Sequence, residues 1–567
     1  MKNTIITLVA MFLLFAIANP SKAESITQTI PLHPGWNAVF LEVQPALTDP
    51  AVLFTSITGL QSVWRWNPQT STVEFIQDPD TLVPEDPQWL VYYPGNPMLT
   101  NLHAIHGETA YLIHIDVGAP DPQNLDVQGE PTIPHINWKA NSFNLVGFHL
   151  DEGNLPFFDT FFSSSLAHAG QEIYTLNGGD WQEVTDPDTT SMLRGEGFWI
   201  YCHGSSEFTG PVSVQLEQGT GLHYGKILSE QEVSLRNISA AEKTLSLSLS
   251  ALSETVYYWV FDPANDVAGW QEIPSPLNLT IPAGESQKLR LGVKRAGLTA
   301  ESLYEANMTI ADAEGMNILV PVSVTGISYS GLWVGNATIT KVNEPANVNP
   351  NELFKTGSEF SLRLILHAEE TGTVRLLSQV FQMWDENSSN FVVFTDDSLI
   401  PNYMPAALRD GQPVSRRISA PVFPRLPAGN AIMSGTAVSS NELDPSVGNT
   451  LSLTITLLKN DPTNPFMHRF NPEHIEPEFD TVNQEWNFPL ERIFEIERAI
   501  IMTFSDSYDD KPITGVPSLG WGSTEIGGIY HEVIGSTQGF TGLHKDTLHV
   551  EGTFLLHKVS DVSTLTQ

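Results

Sequence analysis

The stretch that decides the fold is Leu245-Ser246-Leu247-Ser248-Leu249-Ser250, in which apolar and polar residues alternate without a break. Successive side chains of a β-strand point to opposite faces of the sheet, so every leucine falls on one face and every serine on the other. The stretch therefore predicts a half-buried strand. Short apolar-aromatic runs bounded by Asn, Gly, Pro and Asp predict further strands and turns along most of the chain.

Four segments on either side of this strand share its strand-and-turn character. They are Glu232–Asn237, Leu279–Gln287, Tyr304–Ile310 and Val320–Gly326. Together they resemble the immunoglobulin-like modules of the abnormal-spindle/Hydin type, which are common in exported bacterial proteins. The resemblance implies an Ig-like β-sandwich over residues 213–326. It implies no particular activity, since such modules act as spacers or adhesive units.

The region before the sandwich contains an internal repeat of four blocks in the same order. The paired blocks are Gly35–Leu41 with Ser142–Phe148, Val63–Asn67 with Ile173–Asn177, Asp78–Thr81 with Asp186–Thr189, and Gly107–Ile113 with Gly195–Tyr201. The repeat predicts two copies of one small β module, residues 24–126 and 127–212, with an insertion at 84–102 in the first copy. Asn177–Asp180 predicts a hairpin turn, and residues 156–169 are a candidate helix.

Residues 327–567 form the largest predicted unit. Glycine-led apolar strands at 331–335 and 552–556 lie near its two ends, and we expect them to pair and close a barrel or sandwich. Residues 494–504 fit a strand of period 2, although a helix over 491–501 fits nearly as well. This unit resembles the C-terminal parts of uncharacterised exported bacterial proteins, which implies no known activity. The predicted fold class is mostly β: tandem small β modules, an Ig-like β-sandwich and a larger C-terminal β-barrel or β-sandwich domain.

Residues 1–23 have the layout of a secretory signal peptide. Lys2 precedes a short uncharged apolar run, and Ser21-Lys22-Ala23 supplies the small residues of a cleavage site. No later stretch of 18 apolar residues predicts a transmembrane segment in the mature chain. We therefore expect a secreted, periplasmic or cell-surface protein.

Charge and cysteine content narrow the function further. The chain has 65 acidic against 27 basic residues, a formal net charge of −38, and such a surface repels nucleic acid. Cys202 is the only cysteine. An intramolecular disulfide and cysteine-based zinc or redox sites are therefore excluded, and stability must come from buried apolar cores.

Common catalytic motifs are missing from the sequence. It contains no Gly-x-Ser-x-Gly elbow, no phosphate-binding Gly-x-x-x-x-Gly-Lys loop and no His-Glu-x-x-His motif. We assign no catalytic residue, and the sequence favours a binding or adhesion protein over an enzyme. An extracellular hydrolase with its site in the C-terminal domain, and a structural envelope or matrix component, remain alternatives.

Polar loops of the C-terminal unit supply one set of candidate binding residues. They are Asp396, Asp397, Arg409, Asp410, His468 and His474. Carboxylates with backbone carbonyls suit Ca²⁺, histidines with carboxylates suit Zn²⁺, and paired carboxylates could hydrolyse a glycoside. The spacing selects none of these, because the same residues also build ordinary turns. The repeated Asp-Pro-Asp-Thr blocks likewise fit either a cation site or a capped turn.

Aromatic residues of the first two modules supply the other candidates. Exposed rings stack on sugar faces or on partner side chains, whereas small β modules without disulfides also need large rings in their cores. Trp36 and Trp199 align with Phe143 and Tyr111, which predicts core positions for both. Trp89, Tyr92 and Tyr93 lie in the predicted insertion, which favours a surface that binds a protein or carbohydrate ligand.

Overall fold

The computed structural model describes residues 24–67, 89–262, 267–343, 352–377, 379–385, 390–395, 399, 408–409, 412–413, 415–419, 443–457, 478–487, 496–536 and 548–566. The structure is almost all β, with 2% of the described residues in helices and 55% in strands, so the predicted fold class is confirmed. The predicted signal peptide lies outside the described residues. Among the helices of the described residues, none has the length and apolarity that a membrane crossing requires.

The first unit is a pair of packed sheets. The three-stranded sheet has the order β1-β7-β3, with β1 Ile26–Leu32, β3 Val43–Pro45 and β7 Gln123–Pro131. The four-stranded sheet has the order β2-β6-β4-β5, with β2 Gly35–Leu41, β4 Leu60–Trp66, β5 Trp89–Tyr92 and β6 Thr109–Ile115. Helix α1, Pro50–Leu53, begins at the N-cap Asp49. Leu32, Val63 and Ile113 belong to the core between the sheets.

The second unit is one four-stranded sheet covered by a phenylalanine-rich core. Its order is β10-β9-β11-β8, with β8 Ser142–Val146, β9 Ile173–Asn177, β10 Asp180–Glu183 and β11 Phe198–Cys202. The candidate helix over 156–169 is shorter than expected: α2 spans Phe158–Phe162. Gly178 and Gly179 both have positive φ in the predicted hairpin turn, which confirms that prediction.

The two four-stranded sheets share their strand order and register. Reading β2, β6, β4 and β5 against β8, β11, β9 and β10 gives the same sequence of neighbours. Asn37 pairs with Ile113 in the first sheet, and Asn144 pairs with Ile200 in the second. Each asparagine side chain also binds both backbone groups of one residue in the turn before its strand. The duplication itself stays a prediction, and the matching topology agrees with it.

The third unit is a sandwich of two five-stranded sheets. One has the order β12-β14-β19-β16-β17, with β12 Val212–Leu216, β14 Glu230–Asn237, β16 Val256–Asp262, β17 Val267–Glu272 and β19 Ser286–Val293. The other has the order β13-β21-β20-β15-β18, with β13 Leu222–Gly225, β15 Lys243–Leu249, β18 Leu277–Ile281, β20 Leu303–Asp312 and β21 Asn317–Thr325. Leu245 and Leu247 are buried while Ser246 and Ser248 are half-buried, as their alternation predicts. Membership of the abnormal-spindle/Hydin type stays a prediction.

The C-terminal unit is built on a nearly closed, barrel-like seven-stranded sheet. Its order is β24-β23-β22-β37-β36-β33-β30, with β22 Gly331–Asn343, β23 Leu353–Ala368, β24 Val374–Leu376, β30 Thr450–Leu457, β33 Ile496–Phe504, β36 Glu525–Ser536 and β37 Leu548–Ser560. The expected pairing of the strands near its two ends is confirmed, since Gly335 lies opposite Leu556. Strand β33 also settles the choice between strand and helix at this position.

Among its described residues, the C-terminal unit also contains a second sheet and three small hairpins. The sheet has the order β29-β25-β26-β38, with β25 Gln379–Asp385, β26 Asn390–Phe394, β29 Ser415–Ser419 and β38 Leu565–Thr566. The hairpins pair β27 Leu408–Arg409 with β28 Gln412–Pro413, β31 Glu478–Asp480 with β32 Glu485–Asn487, and β34 Ser507–Tyr508 with β35 Lys511–Pro512. The predicted domain limits stay predictions.

Candidate functional site: an aromatic face on two sheets

Seven of the aromatic rings on the outer faces of the two four-stranded N-terminal sheets contact one another. They are the rings of Trp36, Trp64, Trp66, Trp89, Tyr93, Trp181 and Trp199, and each is half-buried. We call this surface the aromatic face. Residues that alternate along a strand, or that lie opposite each other on paired strands, share a face of the sheet. Trp64 and Trp66 are two positions apart, and Trp66 lies opposite Trp89, so these three rings share the outer face.

The rings of the aromatic face contact one another in a continuous path. The centroids of Trp36 and Trp64 are 6.2 Å apart, those of Trp64 and Trp89 are 6.0 Å apart, and those of Trp89 and Trp199 are 6.1 Å apart. All three contacts are edge-to-face, an arrangement that aromatic pairs favour. The path crosses from the first sheet to the second at Trp199.

Trp199 is the centre of the crossing. Its centroid lies 5.5 Å from that of Trp66 and 6.3 Å from that of Trp181. The strand pair β9 and β10 is equivalent to the pair β4 and β5. Trp181 lies opposite Leu176 in the former, just as Trp89 lies opposite Trp66 in the latter. Trp89 and Trp181 therefore hold the same position in the two sheets.

Backbone contacts fix the two sheets against each other beneath the rings. The amide of Phe40 donates to the carbonyl of Gly195 at 2.7 Å, and the amide of Gly197 donates to the carbonyl of Ala38 at 3.1 Å. Gly147 packs so closely on the Phe40 ring that no Cβ fits there. The relative position of the two halves of the aromatic face is thus set by hydrogen bonds as well as by ring packing.

Two ion pairs cross the same junction. The Arg194 guanidinium binds the buried Glu42 carboxylate at 2.8 Å, and Nε2 of His149 lies 2.5 Å from Oε1 of Glu108. Burial by itself would lower the pKa of His149, but the carboxylates of Glu108 and Glu42 together outweigh burial, so the pKa of His149 lies above its ordinary value. The His149–Glu108 contact is therefore strongest when the imidazole is protonated.

Some indole N–H groups of the aromatic face are hydrogen-bonded within the protein and others are not. The indole N–H of Trp64 donates to Oγ of Ser62 at 2.8 Å, and the Trp36 ring stacks on His114 at 4.5 Å. Within the described part of the chain, the indole N–H groups of Trp89, Trp181 and Trp199 make no hydrogen bond. The surface thus combines apolar ring faces with unused donors, the composition of a small-molecule or glycan site.

The aromatic candidates from the sequence do not all lie on this face. Trp89 is on it, and Tyr93 joins it through a 6.2 Å contact with Trp64. Tyr92 lies on the opposite side of β5, where it packs against the first core. Burial, with a smaller contribution from Asp49, raises the pKa of the Tyr92 hydroxyl.

The sequence predicts core positions for Trp36 and Trp199. The structure shows both rings half-buried, so neither is a fully buried core residue. For Trp199 the reason is a register error. The strand pairing makes Tyr111 equivalent to Phe198, and Leu112 equivalent to Trp199. The alignment on the two Gly-Glu pairs is therefore shifted by one residue, and a shift of one residue exchanges the faces of a strand.

The predicted insertion also needs correction. Strand β5 takes the place in its sheet that β10 takes in the second. Trp89 therefore belongs to the part that the two sheets share and not to a segment unique to the first. The sequence signal for this equivalence is weak, since only the tryptophans of β5 and β10 match.

The C-terminal candidates fall outside the described residues. These are Asp396, Asp397, Asp410, His468 and His474. Arg409 is described only through its backbone, which pairs with Gln412. The hydrolase hypothesis and the Ca²⁺ interpretation of these loops therefore stay predictions. In the described part of the chain, no group of three or more His, Cys, Asp or Glu side chains is arranged to hold a metal ion.

The repeated Asp-Pro-Asp-Thr block is visible in one copy only, since Asp78–Thr81 lies outside the described residues. In the other copy, the carbonyl of Asp186 accepts hydrogen bonds from the amides of Thr189 and Thr190. The Thr190 hydroxyl donates to the same carbonyl at 2.8 Å. This geometry is that of a closed turn, the simpler of the two interpretations of the block.

A crevice of about 1680 Å³ lies between the sandwich and the C-terminal unit. Its charged groups are largely paired within the protein: Lys226 binds Glu301 at 2.5 Å, and Lys558 binds Asp561 at 2.7 Å. The aromatic face is the better candidate because its rings are half-buried and, among the described residues, three of its indole N–H groups make no hydrogen bond.

Comparisons with known proteins identify no family. No protein-family model and no curated protein matches the chain. Among solved structures, a chaperone–tip adhesion subunit complex (CsuC-CsuE) of Acinetobacter baumannii pili is 15% identical, with 30% of this chain and 81% of that chain covered and a TM-score of 0.13. A candidate carbohydrate-binding protein of Bacteroides ovatus is 10% identical, with coverages of 29% and 66% and a TM-score of 0.13.

A protein of unknown function from Bacteroides ovatus covers more of the chain. It is 8% identical, with 60% of this chain and 90% of that chain covered and a TM-score of 0.15. TM-scores this low carry no inference about fold or function.

Proposed function

We propose that this protein is an exported, non-catalytic binding protein that holds a carbohydrate ligand on its aromatic face. One observation carries the proposal: seven half-buried rings form a continuous surface across two sheets. Equivalent positions of the two sheets contribute to it, as with Trp89 and Trp181.

Ring faces with free donors suit sugars better than most ligands. The C–H faces of a sugar ring pack on aromatic rings, and its hydroxyls accept hydrogen bonds from groups such as indole N–H. The net charge of −38 repels acidic polymers. These two properties together favour neutral glycans over uronic-acid or sulfated glycans.

A glycan array tests this proposal on the full chain. We expect the wild-type protein to bind neutral oligosaccharides, and we expect Trp89→Ala to weaken that binding about tenfold or more, as loss of a central aromatic contact does. Trp259→Ala is the matched control, because Trp259 is also a half-buried indole on a strand but lies in the sandwich.

Two outcomes would contradict the proposal. One is binding of no glycan by the wild-type chain, in which case capture of a protein partner by the same rings becomes the better explanation. The other is glycan binding that Trp89→Ala and Trp259→Ala reduce equally.

A further inference from the structure

Two charged residues in the sandwich occupy positions that face its core. Lys243 precedes the Leu-Ser alternation by two residues, so it shares the buried face of Leu245. Asp312 lies opposite Leu245 on β20, on the face of Ile310. The side chains of Lys243 and Asp312 are only 4% and 3% exposed. Charged residues are rarely buried this completely, so the pair requires an explanation.

The side chains around Lys243 are arranged for more than an ion pair. Nζ of Lys243 lies 3.5 Å from Oδ2 of Asp312 and 2.5 Å from Oε2 of Glu314. Oδ1 of Asp312 accepts hydrogen bonds from the amides of Glu314 and Met316, both at 2.9 Å. One carboxylate oxygen is thus held by two backbone donors, while the other faces the amine.

This geometry contains the parts of an acyl-transfer site. Lys243 supplies a nucleophile, Glu314 supplies a base in contact with it, and the two amides are donors for charge that develops on Oδ1. Apolar side chains surround the group, including the buried Ile281 opposite Lys243 and the buried Met316. The Glu314 side chain is 51% exposed, which leaves an exit for water.

We propose that Lys243 and Asp312 form an intramolecular amide bond between Nζ and Cγ. Glu314 removes a proton from the Lys243 ammonium, and the neutral amine attacks Cγ of Asp312. The amides of Glu314 and Met316 stabilise the negative charge on Oδ1. Oδ2 then leaves as water, carrying two of the three ammonium protons, and the amide nitrogen keeps the third. No oxidant or co-reactant is consumed.

Such a bond would stabilise a sandwich that cannot form a disulfide. With Cys202 as the only cysteine, the sandwich contains no disulfide. An amide bond would join the first residue of β15 to the last residue of β20, strands that pair in the same sheet. It would close a loop of the chain and restrict the unfolded state as a disulfide does.

Mass spectrometry of the full chain tests this inference independently of any glycan binding. We expect an intact mass lower by one water than the mass calculated for the purified chain from its determined N-terminus. Trypsin should then release residues 237–288, uncut at Lys243, joined to residues 296–341. A full-mass chain, or separate peptides 237–243, 244–288 and 296–341, would overturn the inference, as would water loss mapped to another site.

Three variants define the roles of the residues. Asp312→Ala should have the full mass and no joined peptide. Asp312→Asn should give the same joined product as the wild type, because the amide side chain would lose ammonia in place of water. Glu314→Gln keeps both reacting groups and should slow bond formation about a hundredfold, the scale of general-base catalysis. Unchanged bond formation in Glu314→Gln would contradict the role of Glu314.

Discussion

The N-terminal sheets and the C-terminal sheet use aromatic residues differently. In the C-terminal sheet, Trp333, Tyr530 and Phe554 are 0% exposed. Their polar atoms are satisfied inside the protein: the Trp333 indole donates to the carbonyl of Tyr329 at 2.7 Å, and the Tyr530 hydroxyl donates to Glu532 at 2.8 Å. On the aromatic face the rings are only half-buried.

The difference lies in the second face of each N-terminal sheet. One face buries its rings, as with Tyr111 and Phe198 at 1% exposed, whereas the rings on the other face are covered only in part. The nearly closed C-terminal sheet packs one of its faces into a large apolar core. The outer faces of the two N-terminal sheets pack together around a small cluster of buried residues, Phe40, Ala110 and Leu145. Trp66, Trp89, Trp181 and Trp199 pack against this cluster and stay half-buried.

The largest expected effect is on stability in the C-terminal core. Phe554→Ala removes a fully buried ring and should lower the free energy of unfolding of that unit by about 3–5 kcal/mol. Trp89→Ala should cost its own unit about 1 kcal/mol or less, since the ring is only half-buried. Differential scanning calorimetry of both variants measures the contrast, and equal losses would remove the distinction between the two regions.

Acid should destabilise the second N-terminal unit. His168 is packed among Trp138, Phe162 and Phe208, and burial lowers its pKa to about 4. In the unfolded chain His168 binds a proton near pH 6.5. In the folded chain His168 stays neutral until the pH falls to about 4. The stabilisation is therefore present above pH 6.5 and is lost as the pH falls towards 4, by about 3 kcal/mol.

Urea unfolding at pH 7 and pH 4 measures this loss. The control is His168→Asn, which cannot titrate and keeps a side chain able to bind Ser165. Its stability should depend less on pH than that of the wild type. Identical pH dependence in the two proteins would show that His168 is not the group responsible.

The strand pattern and the repeat that contains Asn37 in one copy and Asn144 in the other could be predicted, because both are visible in short stretches of sequence. The alternation at Leu245–Ser250 fixes which side chains share a face, and equivalent asparagines mark equivalent turns. The aromatic face could be predicted only in part. Nothing local shows that a second sheet covers Phe40 while leaving Trp36 half exposed.

The register between strands that are distant in the sequence could not be predicted either. Residue identity aligns Gly107-Glu108 with Gly195-Glu196. The strand pairings, Asn37 with Ile113 and Asn144 with Ile200, shift this alignment by one residue. Lys243 shows the same limit. Its period places it on the leucine face, but only the pairing of β15 with β20 brings Asp312 to it.

A smaller effect is expected at the junction of the two N-terminal units. His149→Gln should lower the stability of the pair by about 2 kcal/mol at pH 6, where the wild-type imidazole is protonated against Glu108. The pKa of His149 is raised, so this stabilisation is lost as the pH rises through that pKa. The difference in stability between variant and wild type should therefore shrink as the pH rises. A gap that widens with pH would contradict the assignment.

The smallest effect is expected at Trp36. Phe143 holds the equivalent position in the second sheet, so Trp36→Phe places the same ring in both. Because the site already leaves part of the indole exposed, the free energy of unfolding should change by about 1 kcal/mol or less. Thermal unfolding of the variant checks this value, and a loss as large as that of Phe554→Ala would mean that Trp36 is a core residue.

The most direct test of the central claim is oxidation of indoles by N-bromosuccinimide, read by peptide mass spectrometry, with and without a glycan that the array identifies. We expect the glycan to protect Trp64, Trp66 and Trp89 from oxidation while Trp259 stays as reactive as in the free protein. Unchanged reactivity of those three tryptophans with the glycan bound would contradict the assignment of the aromatic face as the ligand site.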